Sequence, residues 1–433
     1  MRKRLKVVTV GCKANFADSA SVVRMAAGQG FEIVSSRSRA DVVIINSCTV
    51  THRADRDSRS HARRARRDNP GATVLLTGCY AQMAGPEREK LPEVDHWVGT
   101  GAREAPETEK GSLAAILREI SGNGLRDQAI LSDHAADLLL GHRRTYLKIQ
   151  DGCDFSCAYC VVPLARGRNR SVPEEEIIAR AVAAEGDGAR ELVLTGIHIG
   201  LYGADDTGKD ALPGLVLRLL RETSRPRIRL SSVEPGEITA RLIETIAGNP
   251  RVCAHLHVPL QSGCDRVLAR MRRPYLSSEY MEVVSSAAAG IPGLSLGADV
   301  MVGFPGETRE DFGETVRFLR MSPATYLHVF PYSARRGTES AGMPDDVSFG
   351  EKKRRVSRLL SEDSRMRDAF LERQVGTRVD VLAEAMNHRG GALVGRSGNY
   401  AEVVFPGSAS GIGEIHRVIV HSVHDGRLVG TPV

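Results

Sequence analysis

The chain has 433 residues, of which 42% are hydrophobic and 26% are charged, and its formal net charge is +6. This balance is typical of a soluble globular protein, and the length suits about three domains of ~150 residues each. No apolar run reaches the ~18 residues of a membrane helix, and the basic N-terminus leads into a run too short for a signal peptide. Eight Cys without a secretory signal predict thiolate ligands in a reducing compartment, so we expect a cytoplasmic protein with no membrane partner.

Residues 1–110 are predicted to form a small parallel α/β domain in which three strands each lead into a cysteine. The strands are short β-branched runs separated by helical stretches, as in a sheet buried on both faces, and they cover residues 7–10, 41–46 and 73–77. The cysteines after them, called the N-terminal triad below, are Cys12, Cys48 and Cys79. Open parallel sheets bind ligands at the carboxyl ends of their strands, so the three thiols are expected to meet at one edge of the sheet. The pattern therefore favours a three-thiolate iron–sulfur site. The alternative is three buried, inert thiols.

A strongly basic segment follows the second of these strands. Residues 53–67 hold seven Arg against Asp55 and Asp57, in a predicted helix that ends at Asn69 and Pro70. Such a helix face can neutralise several phosphates of a nucleic acid. A solvated helix face accounts for the same composition equally well, so both interpretations stay open.

Residues 141–372 alternate strands with helices, after a predicted linker over residues 111–140 that glycines interrupt. Residues 171–174 are a predicted capping-box start with Pro173 in the first turn, which opens a helix to about residue 185. The six predicted strands cover residues 145–150, 191–196, 227–232, 255–259, 296–302 and 326–331. Six such repeats indicate a (β/α)6 partial barrel with its active site at the C-terminal ends of the strands.

A second group of cysteines, called the loop triad below, follows the first barrel strand. Cys153, Cys157 and Cys160 are spaced C-x3-C-x2-C. Three thiolates suit a four-iron–four-sulfur cluster with one iron open, since a closed site would take four cysteines, and an open iron can bind a ligand as open zinc sites do. The alternatives are a zinc knuckle or redox dithiols, although the usual distant second pair of a zinc site is missing. The spacing, with Tyr159 before the last cysteine, resembles the radical S-adenosylmethionine (SAM) superfamily, which implies that the open iron chelates SAM.

Polar residues and glycines follow successive barrel strands. Thr195 and Gly196 end the second strand, Glu234 follows the third, and Gln261 follows the fourth. A glycine lets backbone amides approach a ligand, and Glu234 and Gln261 could bind ribose hydroxyls or an amino group. Each residue alone suits a turn or a cap, but together at the strand ends they predict a SAM pocket.

Other residues of the barrel are assigned structural roles. His255 and His257 alternate on one face of the fourth strand and are expected to line the pocket, with metal ligation as the alternative. Cys253 and Cys264 have no partner at a ligand spacing and are predicted to be core or pocket thiols. Residues 203–209 imitate a phosphate-binding loop without the required Ser or Thr, so we expect a surface turn there.

Residues 373–433 predict a small β-barrel, and the charged helix before it, residues 351–373, is expected to hold this domain against the larger barrel. Short strands alternate with Gly-rich turns, at residues 379–382, 393–395, 401–405 and 415–420. Small barrels of this kind often carry nucleic acid. Five Arg against five acidic residues from Val375 onward do not establish that role.

Taken together, the three segments resemble the methylthiotransferase family essentially from end to end. The resemblance rests on residues 11–15, 46–50, 77–79 and 151–160, which include all six triad cysteines. It implies an N-terminal cluster domain, a radical SAM barrel and a C-terminal TRAM domain. Asp18 stands where many members carry Glu.

Further stretches look most like the family branch that modifies N6-threonylcarbamoyladenosine at position 37 of tRNA; these are residues 149–153, 165–168, 194–198 and 329–333. The related branches act on isopentenyladenosine in tRNA and on an aspartate of ribosomal protein S12. An alternative of another class is an iron–sulfur protein that binds RNA or senses redox state without turnover.

The resemblance implies two four-iron–four-sulfur clusters and two molecules of SAM. The N-terminal triad would hold an auxiliary cluster that carries the sulfur, methylated by one SAM, and the loop triad would hold the cluster that reduces the other. The resulting 5′-deoxyadenosyl radical would take the hydrogen from carbon 2 of the adenine. That C–H bond is not acidic enough for a general base to remove the proton, but a radical can break it. The implied partners are the anticodon stem-loop of tRNA, whose position 37 is unpaired, and an electron donor such as flavodoxin or ferredoxin.

Overall fold

The computed structural model describes residues 2–106, 108–122, 131–204, 210–387 and 391–433. The predicted turn at 203–209 and residues 123–130 of the predicted linker therefore lie wholly or mostly outside the described residues. The described chain forms, in order, a parallel α/β unit, a partial barrel and a closed β-barrel. None of the described helices combines the length and apolar character needed to cross a membrane.

The N-terminal unit is a five-stranded parallel sheet with helices on both faces. Its strands are β1 (Arg4–Thr9), β2 (Glu32–Ile33), β3 (Val42–Ser47), β4 (Thr73–Gly78) and β5 (His96–Val98), in the spatial order β2-β1-β3-β4-β5. Its helices are α1 (Lys13–Gly28), α2 (His52–Asp68), α3 (Cys79–Met83), α4 (Thr100–Glu104), α5 (Leu113–Ser121) and α6 (Asp133–Leu139). β3 is buried along its whole length, which explains its unbroken apolar run.

The helices of this unit show why the sequence folds this way. The hydroxyl of Thr51 caps α2 by accepting a hydrogen bond from the N–H of Ala54. The predicted basic helix is therefore confirmed. Helices α5 and α6, which lie within the predicted linker, pack into the core of the N-terminal unit through Leu113, Leu117 and Ala136.

Six parallel strands in two sheets form the partial barrel, which confirms the predicted architecture. The strands of the barrel are β6 (Thr145–Lys148), β9 (Glu191–Thr195), β10 (Arg227–Leu230), β11 (His255–His257), β12 (Ser295–Val302) and β13 (Tyr326–Pro331). Two further short strands, β7 (Gln150–Asp151) and β8 (Arg170–Ser171), lie between β6 and β9 in the sequence. Sheets β10-β9-β6 and β11-β12-β13 are joined by a bridge between Ser232 and His257. β7 and β8 form a small separate ribbon beside the cysteine loop.

Helices cover the outer face of this barrel. They are α7 (Val162–Arg166), α8 (Glu174–Gly186), α9 (Ala211–Glu222), α10 (Ala240–Ala247), α11 (Asp265–Arg270), α12 (Ser277–Gly290) and α13 (Arg309–Met321). The predicted capping box at Ser171 is wrong, because no side chain caps α8, which Pro173 precedes. The Ser171 hydroxyl instead accepts a hydrogen bond from the N–H of Gly203 at 2.9 Å.

The long helix α14 (Phe349–Glu372) connects the two barrels. Leu359 and Met366 pack into the core of the larger barrel, whereas Phe370 and Leu371 pack into the core of the smaller one. This agrees with the predicted role of the helix. Leu360, the next residue after Leu359, is 48% exposed and lies on the outer face of the helix.

The C-terminal unit is a closed five-stranded barrel. Its strands are β14 (Arg378–Met386), β15 (Ala392–Ser397), β16 (Glu402–Pro406), β17 (Ile415–His424) and β18 (Arg427–Pro432). Their order is β14-β15-β16-β18-β17, and β17 pairs with β14 to close the barrel. Closure leaves no free edge, which is how small all-β units avoid edge-to-edge pairing.

Candidate metal centre and active site

The structure brings the N-terminal triad together at the carboxyl edge of the first sheet. Cys12 precedes α1 as its N-cap residue, Cys48 follows β3, and Cys79 begins α3 directly after β4. The Cys48 thiol interacts electrostatically with both Cys12 and Cys79, so the three thiols lie near one another at this edge of the sheet. Cys12 is exposed while Cys48 and Cys79 are buried, so the group opens toward one side.

Two glycines make this close approach possible. Gly11 has φ +120°, and a Cβ there would lie 2.7 Å from the Cβ of Cys48. Gly78 has φ +94°, and a Cβ there would lie 2.5 Å from the carbonyl oxygen of Ser47. Both positions therefore need a residue without a side chain, for conformation and for space.

The loop triad lines a cleft of about 660 Å³ beside the ends of β6 and β7. Cys157 interacts electrostatically with Cys153, and Cys160 interacts with both. The loop is held by backbone hydrogen bonds from Cys153 to Gly167 at 3.1 Å and from Cys160 to Cys157 at 3.0 Å. All six triad cysteines are free thiols, as metal ligands must be.

Basic side chains lie against two sulfur atoms of the loop triad. The Cys157 sulfur accepts a hydrogen bond from Arg273 at 3.3 Å, and the Arg273 guanidinium is paired with Glu234. The Cys153 sulfur lies 3.5 Å from Nδ1 of His198, whose Nε2 lies 2.9 Å from a carboxylate oxygen of Glu237. Burial acts to lower the pKa of His198, but its contacts with Cys153 and Glu237 raise it to about 9. Such donors suit sulfurs that carry negative charge as cluster ligands.

Arg166, the last residue of α7, joins the two triads. Its side chain is 1% exposed. Its Nε donates to the Cys79 sulfur at 3.2 Å, and its Nη1 donates to both carboxylate oxygens of Asp151 at 3.0 Å. Its Nη2 donates to Asn15 at 2.6 Å and to Asp18 at 2.8 Å. One guanidinium therefore fixes the edge of the first sheet against the base of the cysteine loop.

Asp18 is the centre of the charges around Arg166. Its carboxylate also pairs with Arg103 at 3.1 Å and with Lys148 at 3.0 Å. Burial acts to raise the pKa of Asp18, but Arg103, Lys148 and Arg166 together hold it well below its usual range. The carboxylate is thus ionised although buried, and it ties α1 to β6 and α7.

The four predicted SAM contacts lie at the strand ends as expected, but none of them lines the 660 Å³ cleft. The Thr195 hydroxyl and the Gln261 side-chain oxygen are buried without a hydrogen-bond partner among the described residues. Gly196 packs against Gln150, whose side-chain oxygen would lie 2.7 Å from a Cβ there, and Glu234 pairs with Arg273. The Thr195 hydroxyl can donate or accept a hydrogen bond and the Gln261 oxygen can accept one, which suits a polar ligand such as SAM. Their role as SAM contacts stays a prediction.

The two cysteines outside the triads and the two histidines of β11 are all buried in the large barrel. Cys253 and Cys264 are buried, as predicted for core thiols. His255 and His257 are buried and both lie beside the hydroxyl of Tyr326, at 2.8 Å and 3.2 Å.

Sequence reasoning missed the site roles of Arg166, Arg273, His198 and Gln150. The side chain of Gln150 donates to the carbonyl of Gly152 at 2.7 Å and accepts from the N–H of His198 at 2.9 Å. Arg166 and His198 stand in stretches that carried the family resemblance. No spacing rule, however, could have assigned them these partners, which are distant along the chain.

The basic helix α2 docks on the barrel through its N-terminal end. Arg335 donates to Thr49 at 2.9 Å and to Asp55 at 2.5 Å. Several arginines of α2 point outward and pair with acidic residues of the same unit, such as Arg66 with Asp95 at 2.7 Å. Its outer face is thus solvated and partly neutralised, and whether it also binds phosphate stays open.

Three family matches cover most of the chain. Residues 4–99 match the uncharacterized protein family UPF0004, residues 147–319 match the radical SAM superfamily, and residues 372–433 match the TRAM domain. Among solved structures, the radical SAM methyltransferase TsrM from Kitasatospora setae aligns with a TM-score of 0.53 at 13% identity. That alignment covers 76% of this chain and 75% of that chain, and it shows a shared fold alone.

Several characterised relatives match nearly the whole length. The threonylcarbamoyladenosine tRNA methylthiotransferase MtaB of Bacillus subtilis is 36% identical over 95% of this chain and 92% of its own. The Aquifex aeolicus protein of the same name is 35% identical over 95% and 98%. A tRNA-2-methylthio-N(6)-dimethylallyladenosine synthase of Geobacter sulfurreducens is 33% identical over 99% and 97%. With these relatives and a radical SAM barrel that holds a free cysteine triad, the chain is an enzyme of the radical SAM methylthiotransferase family, similar to its MtaB members.

Proposed function

We propose that this enzyme methylthiolates carbon 2 of N6-threonylcarbamoyladenosine at position 37 of tRNA. The observation that carries the proposal is the pair of cysteine triads, which Arg166 holds together across two structural units. Methylthiolation needs a radical generator and a sulfur source side by side, and two linked triads supply two places for them. The names of the Bacillus subtilis and Aquifex aeolicus relatives support the choice of nucleoside.

Membership of the radical SAM superfamily implies one four-iron–four-sulfur cluster and SAM, and the loop triad is the place for that cluster. The bound cluster and SAM would supply the 5′-deoxyadenosyl radical that removes the hydrogen from carbon 2. The protein's own part is positioning and shielding. Arg273 and His198 hold two of the ligating sulfurs in place, and Glu234 keeps Arg273 oriented.

We propose that the N-terminal triad holds a second cluster, which carries the sulfur to be transferred. Burial raises the pKa of Cys48 to about 12, and the neighbouring Cys12 adds to this. A thiol with that pKa stays protonated at neutral pH unless a metal ion replaces its proton, as in any thiolate ligand. The exposed Cys12 leaves the open side of the triad accessible to substrate.

The interior of the barrel supports a polar substituent on the adenine. Asp299 and Met301 alternate along β12 with Ala298, Val300 and Val302, which pack into the core beneath the helices, so Asp299 faces inward. His257 and His328 lie beside it, at 2.9 Å and 3.3 Å. The hydroxyl and N–H groups of a threonylcarbamoyl substituent can hydrogen-bond to such polar walls, whereas an apolar dimethylallyl group cannot.

We further propose that the TRAM barrel and the exposed face of α2 bind the anticodon stem-loop. Its phosphates would contact exposed cations such as Arg56. The electron for SAM cleavage would come from a small carrier such as flavodoxin or ferredoxin. Both partners, and the cytoplasmic location that they imply, follow from the proposed reaction.

The test is nucleoside mass spectrometry of tRNA from a deletion strain, complemented with the wild type, with Cys157→Ala or with the thiol control Cys253→Ala. We expect the methylthio-N6-threonylcarbamoyladenosine peak to vanish on deletion, to return with the wild type and with Cys253→Ala, and to stay absent with Cys157→Ala. An unchanged peak in the deletion strain would reject the proposal.

The dimethylallyladenosine-modifying branch is the second candidate, because a relative of that name aligns with 99% of the chain. Loss of the methylthio-dimethylallyladenosine peak in the same deletion strain would favour it instead.

A further inference from the structure

Three ionisable side chains meet on the inner face of the large barrel, on three neighbouring strands. His257 ends β11, Asp299 lies in β12, and His328 lies directly opposite Asp299 in β13. Nε2 of His257 lies 2.9 Å from Oδ1 of Asp299, and Nδ1 of His328 lies 3.3 Å from the same oxygen. The three candidate ligand atoms all lie within 4.8 Å of one another.

Beyond lining the barrel interior, these residues have no task in the chemical step of the proposed reaction. Hydrogen abstraction by a carbon radical needs no general base, so a histidine paired with a carboxylate is not required for it. Among the described residues, the hydrogen-bonding partners of the triad sulfurs are the side chains of Arg166, Arg273 and His198 and several backbone N–H groups, and none of the three residues is among them. The group therefore calls for a separate explanation.

Asp299 has no permanent cation beside it, although its side chain is only 22% exposed. Among the described residues, its ionic partners are the two imidazoles, and no Lys or Arg pairs with it. The guanidinium of Arg367, which lies over the ring of Tyr326, is paired with Asp363. An ionised carboxylate removed from water needs a compensating positive charge, which a bound cation would supply.

His257 is oriented as a metal-ligating histidine is. Its second nitrogen, Nδ1, lies 3.2 Å from the hydroxyl of Tyr326, which lies 2.8 Å from Nε2 of His255. The ring of Tyr326 is itself fixed, because it lies over Gly297, where any Cβ would overlap it. Metal-ligating histidines almost always have the second ring nitrogen held in this way.

We propose that His257, Asp299 and His328 bind one divalent transition-metal ion, of the zinc or iron(II) class. Two imidazoles and one carboxylate are a ligand set that both metals use. Ligands bound tetrahedrally at 2.0–2.2 Å lie about 3.3–3.6 Å apart. The 3.3 Å between His328 and Asp299 matches this spacing. The 2.9 Å between His257 and Asp299 would widen by about 0.5 Å on binding. The His328 side chain is 56% exposed, so further positions on the metal would face solvent. Those positions would take an oxygen ligand, either water or a carboxylate or hydroxyl of a substrate.

The test uses the full protein with its iron–sulfur clusters in place, under anaerobic conditions, with zinc ions as the probe. After equilibration with Zn²⁺ and gel filtration, zinc and iron are counted in the same sample by mass spectrometry. We expect one zinc per chain in the wild type and in the control His421→Ala, an exposed histidine of the small barrel. His328→Ala and Asp299→Asn should lose that zinc with the iron count unchanged. A zinc-edge anomalous map should show a peak about 2.1 Å from the three ligand atoms.

Three outcomes would overturn the metal site: no zinc in the wild type, as much zinc in His328→Ala as in the wild type, or zinc gained only as iron is lost. The last would place the zinc on the cysteine thiols. A low iron count in every sample before zinc is added would instead count against the cluster assignments of the proposed function.

Discussion

The guanidinium of Arg166 contacts groups from three separate parts of the chain. Its acceptors are the Cys79 sulfur, the Asp151 carboxylate and two side chains of α1, Asn15 and Asp18. The planar fork of an arginine can serve such a set, whereas a lysine offers only one point charge. The cysteines were predictable from spacing and strand position. The role of Arg166 was not, because its α1 partners lie about 150 residues away and only the fold brings them together.

Replacing Arg166 tests whether this contact holds the two triads together. Arg166→Gln leaves Asp18 and Asp151 buried with fewer cations, and we expect a loss of about 3–5 kcal/mol in the free energy of unfolding, as for a broken buried ion pair. Urea unfolding followed by circular dichroism measures it. The matched control is Arg168→Gln, two residues away and exposed, which should change stability by less than about 0.5 kcal/mol. Equal losses in both variants would contradict the role of Arg166.

Gly11 offers a test of the N-terminal triad that leaves every cysteine in place. Gly11→Ala puts a Cβ 2.7 Å from that of Cys48 at φ +120°, so we expect the triad to be pushed apart. Iron per chain after reconstitution should fall from about eight to about four, while SAM cleavage persists. Gly28→Ala, where a Cβ meets nothing within 4 Å, should keep all its iron. Full iron in Gly11→Ala would show that the three thiols do not hold a cluster.

At the scale of elements, the strands were predictable wherever they are buried. All six strands of the large barrel lie within two residues of their predicted bounds, because their short runs between turn residues alternate with helical stretches. β2 and β5 were missed, since they are short and also partly exposed. β18 was missed because its Gly430 and Pro432 imitate a turn. The Ser171 cap failed because the hydroxyl is used by Gly203, a contact that only the fold creates.

The packing of α14 can be tested with two adjacent leucines. Leu359 is fully buried in the barrel core, whereas Leu360 is 48% exposed. Leu359→Ala should lower the free energy of unfolding by about 2–5 kcal/mol, and Leu360→Ala should change it by less than about 0.5 kcal/mol. Urea denaturation of the two variants side by side gives the comparison. The reverse ranking would mean that the helix packs through its other face.

The basic helix α2 is the element whose role the sequence left open. Arg56 is exposed and, among the described residues, has no acidic partner within ion-pair distance. If α2 contacts tRNA, Arg56→Gln should weaken binding and reduce the slope of log affinity against log salt by about one. Filter binding over a salt series measures this, with Arg221→Gln, an exposed arginine of α9, as the control. An unchanged slope would assign α2 to a solvated surface.

At the scale of the whole molecule, buried charges join the units. Arg227 and Arg229 of the large barrel donate to backbone carbonyls of the small barrel, at Asp380 and Ser397 among others, over 2.8 Å and 3.0 Å. Glu191 compensates both guanidiniums. Burial acts to raise the pKa of Glu191, but the two arginines hold it well below its usual range. Such contacts fix the small barrel at the N-terminal ends of β9 and β10.

These contacts between units explain why the relative placement of the three units could not be predicted from the sequence. The order and type of the three units followed from local patterns and from the family resemblance. Their relative placement depends on charged pairs such as Arg335 with Asp55 and Arg190 with Glu414, which have no sequence signature. The predicted domain bounds stay predictions. Helices α5 and α6, which lie within the predicted linker, pack into the core of the N-terminal unit.

The central claim is that six cysteines form two separate three-thiolate cluster sites. It is tested most directly by counting iron and measuring SAM cleavage in anaerobically reconstituted protein. The account predicts about eight irons per chain in the wild type and about four in both Cys48→Ala and Cys157→Ala. Cleavage of SAM to 5′-deoxyadenosine should persist in Cys48→Ala, without methylthiolation, and should disappear in Cys157→Ala. A colourless wild-type protein without iron, or methylthiolation by Cys48→Ala, would contradict it.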